Sequence, residues 1–92
     1  MKVNFYATLR AITGQKTVEF ELAEGKTVGH LVDSVISRYP TMREILLNEN
    51  GHLYGHVHVF INGRDVPFLE NQLETVIKPT DTINIFPAVG GG

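Results

Sequence analysis

Ninety-two residues, 42% of them hydrophobic, suit one small globular domain near the lower size limit for independent folding. The lack of cysteine excludes disulfides, thiolate metal centres and a Cys nucleophile. Eight Lys and Arg against ten Asp and Glu give a net charge of −2 with no basic run, so the electrostatic footprint of a nucleic-acid binder is missing.

The opening Met1 to Tyr6 is too short and too polar for a signal peptide. Instead Val3, Phe5, Ala7 and Leu9 alternate with Lys2, Asn4, Tyr6 and Thr8, the period of a strand with one buried face. Gly14 marks a turn. Val18, Phe20 and Leu22 alternate with Thr17, Glu19 and Glu21, and the two runs are predicted to pair as a hairpin. Thr27 is a fitting N-cap for a helix. Val28, Leu31, Val32, Val35, Ile36 and Tyr39 carry the spacing of an amphipathic helix. Pro40 ends it, because the residue before a proline is driven out of the α region.

Met42 to Leu47 suit one short helical turn that packs Ile45 and Leu46, and Asn48 to Gly51 form a loop. Val57, Val59 and Ile61 then alternate with His56, His58 and Phe60 in a third strand. Asn62-Gly63 is the signature of a two-residue hairpin turn. Pro67 confines any strand that follows this turn to a short edge piece. Residues 69–80 connect to a last strand, where Ile83 and Ile85 alternate with Asn84 and Phe86. No apolar stretch approaches the roughly 18 residues of a membrane span. A soluble cytoplasmic protein is expected.

Two strands, a helix and two or three further strands make an α+β chain. A helix of about 12 residues is roughly 18 Å long and covers one face of a mixed sheet. The arrangement is that of the β-grasp, or ubiquitin-like, fold, with four or five strands and one main helix across one face. In that fold the first and last strands are central neighbours and the third flanks the last. Strand parity then predicts that Val3, Phe5, Val57, Val59, Ile83 and Ile85 face the helix. Tyr6, His58, Phe60 and Phe86 face outward on three adjacent strands, and a contiguous apolar patch of this kind marks a partner site.

A self-contained active site is not legible. There is no G-x-S-x-G, H-E-x-x-H or phosphate-loop motif. His56 and His58 share one strand face, with His52 upstream, but a zinc site needs a third ligand and second-shell support, and no carboxylate stands close in sequence. No metal site is assigned and no bound cofactor is expected. The remaining candidate is the end of the sequence, Gly90-Gly91-Gly92. Three glycines offer no side chain to a core and lose the most backbone entropy on ordering. Residues 1–87 are therefore read as the domain and 88–92 as a flexible glycine tail. Such a thread can enter a channel too narrow for side chains. The Gly92 carboxylate is inert as an anion, and its activation as a mixed anhydride needs a partner that uses ATP.

The residues that carry this reading also resemble a known family. Val3-Asn-Phe-Tyr-Ala-Thr-Leu-Arg10, Thr27-Val-Gly-His-Leu31, Arg38-Tyr-Pro40, Val59-Phe-Ile-Asn-Gly63 and Asp81-Thr-Ile-Asn-Ile-Phe-Pro-Ala-Val-Gly-Gly-Gly92 resemble the molybdopterin synthase small subunit family. That family also includes thiamine sulfur carriers and small archaeal ubiquitin-like modifiers. The resemblance implies that an E1-like enzyme adenylates Gly92 and that a sulfur donor converts it to a thiocarboxylate. The tail would then enter the large synthase subunit and deliver sulfur to a pterin precursor. The partner-binding residues expected are Tyr6, Arg10, His58, Phe60, Phe86 and Pro87. Ala88 departs from the second proline that is usual in the family, and Gly90 lengthens the glycine run. A protein modifier joined to target lysines needs the same terminus, so the two readings stay open here. A β-grasp interaction domain with an inert tail is the third.

Overall fold

A computed structural model describes residues 1–87. Its centre is a parallel pair, β1 (Lys2–Phe5) beside β5 (Ile83–Phe86). On the far side of β1 lies antiparallel β2 (Thr17–Glu19), and on the far side of β5 lies antiparallel β3 (His58–Ile61), edged by β4 (Arg64–Asp65). The order β2-β1-β5-β3-β4 is the five-stranded β-grasp sheet. Val3, Phe5, Val57, Val59, Ile83 and Ile85 are all buried in the core with the helix α2 (Val28–Arg38), as parity requires. Among the described residues the buried side chains are all apolar, and no helix is long and apolar enough to cross a membrane.

Helix α2 begins where the sequence places it. The Thr27 hydroxyl accepts the His30 N–H at 3.3 Å, and the Thr27 N–H donates to His30 Nδ1 at 3.0 Å. This is a capping box in which an imidazole stands where glutamate is usual. Val28, Leu31, Val32 and Val35 are buried, while Ile36 and Tyr39 line the edge of the stripe. The 69–80 connection does more than link strands. The Thr75 carbonyl accepts the Val28 N–H at 3.0 Å, and the Lys26 carbonyl accepts the Ile77 N–H at 2.9 Å, so this segment clamps the start of α2.

The first strand is shorter than expected. It stops at Phe5, and Thr8–Thr13 forms a short helix, α1. The apolar positions mislead because Leu9 and Ile12 also fit a helical i, i+3 spacing, and Leu9 is fully buried from the helix. Gly14 closes α1 in the left-handed region at φ 76°, donating its N–H to the Arg10 carbonyl at 2.9 Å. The corner between β1 and α1 falls on Ala7, at φ 52° and ψ −129°. A Cβ is strained there, by about 1–3 kcal/mol. Ala7→Gly is therefore expected to raise the thermal midpoint by roughly 4–8 °C per kcal/mol of strain released, read by calorimetry. An unchanged or lowered midpoint would contradict the strain.

The second strand is also short: Phe20 is buried and Leu22 partly buried, but both lie beyond Glu19. In residues 41–55 a 3-10 turn at Pro40–Met42 runs into α3 (Arg43–Leu46). Met42 and Leu46 are fully buried, and Ile45 only packs at the margin. Asn62 and Gly63 both take positive φ, 54° and 85°, as a twist-matched two-residue turn requires. β4 lasts two residues before Val66–Phe68 turns away as a 3-10 segment around Pro67.

Candidate functional site

The registers place one row of outward side chains across all the strands. Thr17 pairs with Asn4, Asn4 with Asn84, Asn84 with Phe60 and Phe60 with Asp65. One step along, His58 pairs with Phe86. Tyr6 follows β1 and lays its ring flat on Phe86, centroids 4.1 Å apart and planes within 8°. Phe60 meets Phe86 edge-on at 5.5 Å, and His58 stacks on Phe60 at 5.9 Å. The four residues expected to share this face therefore form one ring cluster. Each is half-buried, and the rings cover one another.

Polar groups frame the rings. The Tyr6 hydroxyl donates to Asn84 Oδ1 at 2.8 Å, and Asn4 Nδ2 donates to the same oxygen at 3.0 Å. Thr17 Oγ1 donates to Asn4 Oδ1 at 2.7 Å. Lys16 Nζ lies 5.3 Å from the centre of the Tyr6 ring, within cation–π range. At the opposite end His58 Nδ1 meets Asp65 Oδ2 at 2.6 Å, and Asp65 Oδ1 accepts the Val66 N–H at 2.9 Å.

Three expectations need correction or placement. Pro87 is buried: it continues the alternation of β5, one step past outward Phe86. Arg10 is exposed on α1, and the cation over the Tyr6 ring is Lys16. Gly90, Gly91 and Gly92 lie outside the described residues. The histidines do not act together. His30 caps α2, His56 precedes β3 and stacks on Tyr54 at 4.9 Å, and His58 is held by Asp65. Among the described residues no three His, Asp or Glu side chains come together as a metal site would need.

Sequence reasoning misses Asp65, Asn84 and Lys16. Asp65 is within its reach, because a two-residue turn at Asn62-Gly63 pairs Phe60 with Asp65 and so brings a carboxylate beside His58. Asn84 carries a signal of its own. Asparagine is depleted in strands, yet it sits between two isoleucines of the central strand. Lys16 carries none.

The β-grasp sheet with an aromatic outer face narrows the identity, and comparison with known proteins decides it. The model of the ThiS family matches residues 3–92. This chain belongs to the ThiS family. Small archaeal modifier protein 3 of Haloferax volcanii is 33% identical over 92 residues, spanning 100% of this chain and 98% of that protein. The sulfur carrier protein CysO of Mycobacterium tuberculosis is 35% identical over 81 residues, spanning 86% of this chain and 83% of its own length. A crystal structure of the Amycolatopsis orientalis BexX/CysO complex contains a chain 38% identical to this one, with a TM-score of 0.78 and coverage of 99% and 98%. This ThiS-family chain is thus a ubiquitin-like member of a group of small sulfur carriers and protein modifiers.

Proposed function

We propose that this protein carries sulfur on its C-terminal glycine. An E1-like enzyme joins the Gly92 carboxylate to AMP: a carboxylate oxygen attacks the α-phosphorus of ATP, and pyrophosphate leaves. A sulfur nucleophile at the sulfide level then attacks the acyl carbon, AMP leaves and a thiocarboxylate remains. Glycine places no β-carbon in the path of that attack. In this reading the activating enzyme supplies the nucleotide site and the acid–base groups. This chain acts as a co-substrate, and ATP belongs to the activating enzyme. The resemblance to the molybdopterin synthase small subunit family points to a pterin precursor in molybdenum cofactor synthesis as the sulfur acceptor, with this chain as the small subunit of molybdopterin synthase.

The observation that carries the reading is the ring cluster of Tyr6, Phe60 and Phe86 at the end of the sheet where β5 runs on toward residues 88–92. A docking face there lets a partner grip the domain while its channel receives the terminus. The likeness to small archaeal modifier protein 3 favours a second reading. In that reading the same acyl-AMP ends as an isopeptide bond on a target lysine.

Intact mass measurement of protein from its native cells separates the two. Replacement of one oxygen by sulfur at Gly92 supports the carrier. Branched peptides with a glycine remnant on other proteins support the modifier. Failure of the purified protein to form an acyl-AMP with ATP and its cognate E1-like enzyme overturns both, and leaves an interaction domain with an inert tail.

A further inference from the structure

Tyr6 occupies a place that sheet geometry does not hold. It comes after Phe5, the last residue of β1, and precedes the strained corner at Ala7. The strand ladder that fixes neighbouring Phe60 and Phe86 ends before it. Yet its ring is parallel to Phe86 within 8°. Side chains must supply what the backbone does not. Phe86 covers one side of the ring, Lys16 Nζ lies over it at 5.3 Å, and Asn84 Oδ1 holds the hydroxyl at 2.8 Å.

Of these contacts only the Asn84 bond has direction. Stacking and cation–π attraction let a phenol slide or rotate in its plane, whereas a hydrogen bond fixes where its oxygen sits. Asn84 is itself fixed. It lies in the central strand, and Asn4 Nδ2 donates to the same Oδ1 at 3.0 Å while Thr17 Oγ1 holds the Asn4 amide. A polar ladder thus runs Thr17–Asn4–Asn84–Tyr6 across β2, β1 and β5 and ends on an aromatic ring. A hydroxyl-bearing ring that must be immobile when a partner arrives explains an asparagine at the centre of a sheet face, where strand preference alone would disfavour it.

We infer that Asn84 is a positioning residue of the docking face, which acts through the Tyr6 hydroxyl to set the aromatic platform before a partner binds. The inference rests on the reading of this face as the docking surface for the E1-like enzyme. A preset platform reduces the ordering required on association, so it lowers the KM for the carrier protein. It does not touch the acyl chemistry at the terminus, so kcat is unaffected.

The test uses the full chain in three variants and their combination. Asn84→Leu keeps the size and removes the acceptor. Tyr6→Phe removes only the hydroxyl. Asn84→Asp keeps an acceptor oxygen. In ATP-dependent adenylation by the cognate E1-like enzyme, Asn84→Leu and Tyr6→Phe are each expected to raise KM roughly 5- to 10-fold, the scale of one lost hydrogen bond, with kcat unchanged. The double variant should be no worse than either single one, because both break the same bond. A second readout needs no enzyme. In the proton spectrum of the free protein, the residue-6 ring resonances carry the ring-current shift of the Phe86 stack. They should move toward unstacked values in Asn84→Leu and stay in place in Asn84→Asp.

Multiplying KM effects in the double variant would overturn the inference, because the two groups would then act separately. Ring resonances unmoved in Asn84→Leu would overturn it too. Absence of any acyl-AMP from the wild-type protein would instead remove the functional reading, while the ring resonances still decide whether Asn84 places Tyr6.

Discussion

Phe86→Arg is expected to raise the KM for activation by the E1-like enzyme by roughly 30- to 1,000-fold and to leave a folded domain. The size reflects the place of Phe86 in the cluster. It is stacked on Tyr6 at 4.1 Å and meets Phe60 edge-on at 5.5 Å, so its loss removes the shared member of both pairs. Central aromatic anchors of an interface are worth about 2–4 kcal/mol on truncation, and a charge in their place adds a desolvation cost on binding. Stability should suffer much less. Phe86 is half-buried on the outer face, and a long arginine can keep its head in water. Loss of the ring pairs costs about 0.5–1.5 kcal/mol each, a drop of roughly 4–8 °C in thermal midpoint per kcal/mol. Activation kinetics and a melting curve on the same preparation measure both. A KM equal to wild type would place docking elsewhere, and loss of cooperative melting would place Phe86 in the core.

The elements that the sequence predicts well are those where one strong local cause acts alone. α2 has a cap at Thr27, a stripe through Val35 and a stop at Pro40, and all three agree. The β3–β4 turn has Asn62-Gly63, which takes the left-handed pair of conformations with little competition. Parity sorts inner from outer residues on β1, β3 and β5 because a period of two admits no intermediate phase. Prediction fails where two periods coincide. Ala7 and Leu9 satisfy a strand, and Leu9 and Ile12 satisfy a helix; the corner at Ala7 is a tertiary choice with no marker residue. β2 is a milder case: Phe20 lies just past Glu19, yet it is buried and still exchanges backbone hydrogen bonds with Met1, at 2.8 and 3.0 Å.

The candidate site divides along the same line. The aromatic members come from parity, and the polar members depend on register, which joins residues far apart in the chain. Asn4 and Asn84 meet because β1 and β5 are parallel neighbours, a fact of topology that no local pattern contains. His58 and Asp65 meet through a turn whose geometry is legible, but the contact emerges only when the pairs flanking that turn are worked out. Pro87 is expected on the partner face beside Phe86, but adjacent residues along a strand direction point to opposite faces, and Pro87 is buried.

That opposition sets up the second large expectation, at Phe5. Phe5 and Phe86 are both aromatic and both lie on the central strands, but Phe5 is fully buried and faces α2. Its ring packs against Phe20 and Tyr39, each at 6.3 Å between centroids. Phe5→Ala leaves a cavity between sheet and helix and should cost about 3–5 kcal/mol. A domain of this length holds roughly 5–14 kcal/mol in total, so the variant sits near its limit. The thermal midpoint should fall by roughly 12–40 °C. At a temperature where the variant is still folded, the KM for adenylation should stay close to that of the wild type, because Phe5 points to the opposite face of the sheet from the docking rings. Phe86→Arg and Phe5→Ala thus form an opposed pair, one losing affinity and keeping stability, the other losing stability and keeping affinity. A Phe5→Ala protein that melts within a few degrees of wild type would mean that the ring is not a core member. If it melts low and also binds poorly while folded, the two faces of the sheet are coupled, and the platform is held from beneath as well as from its own polar ladder.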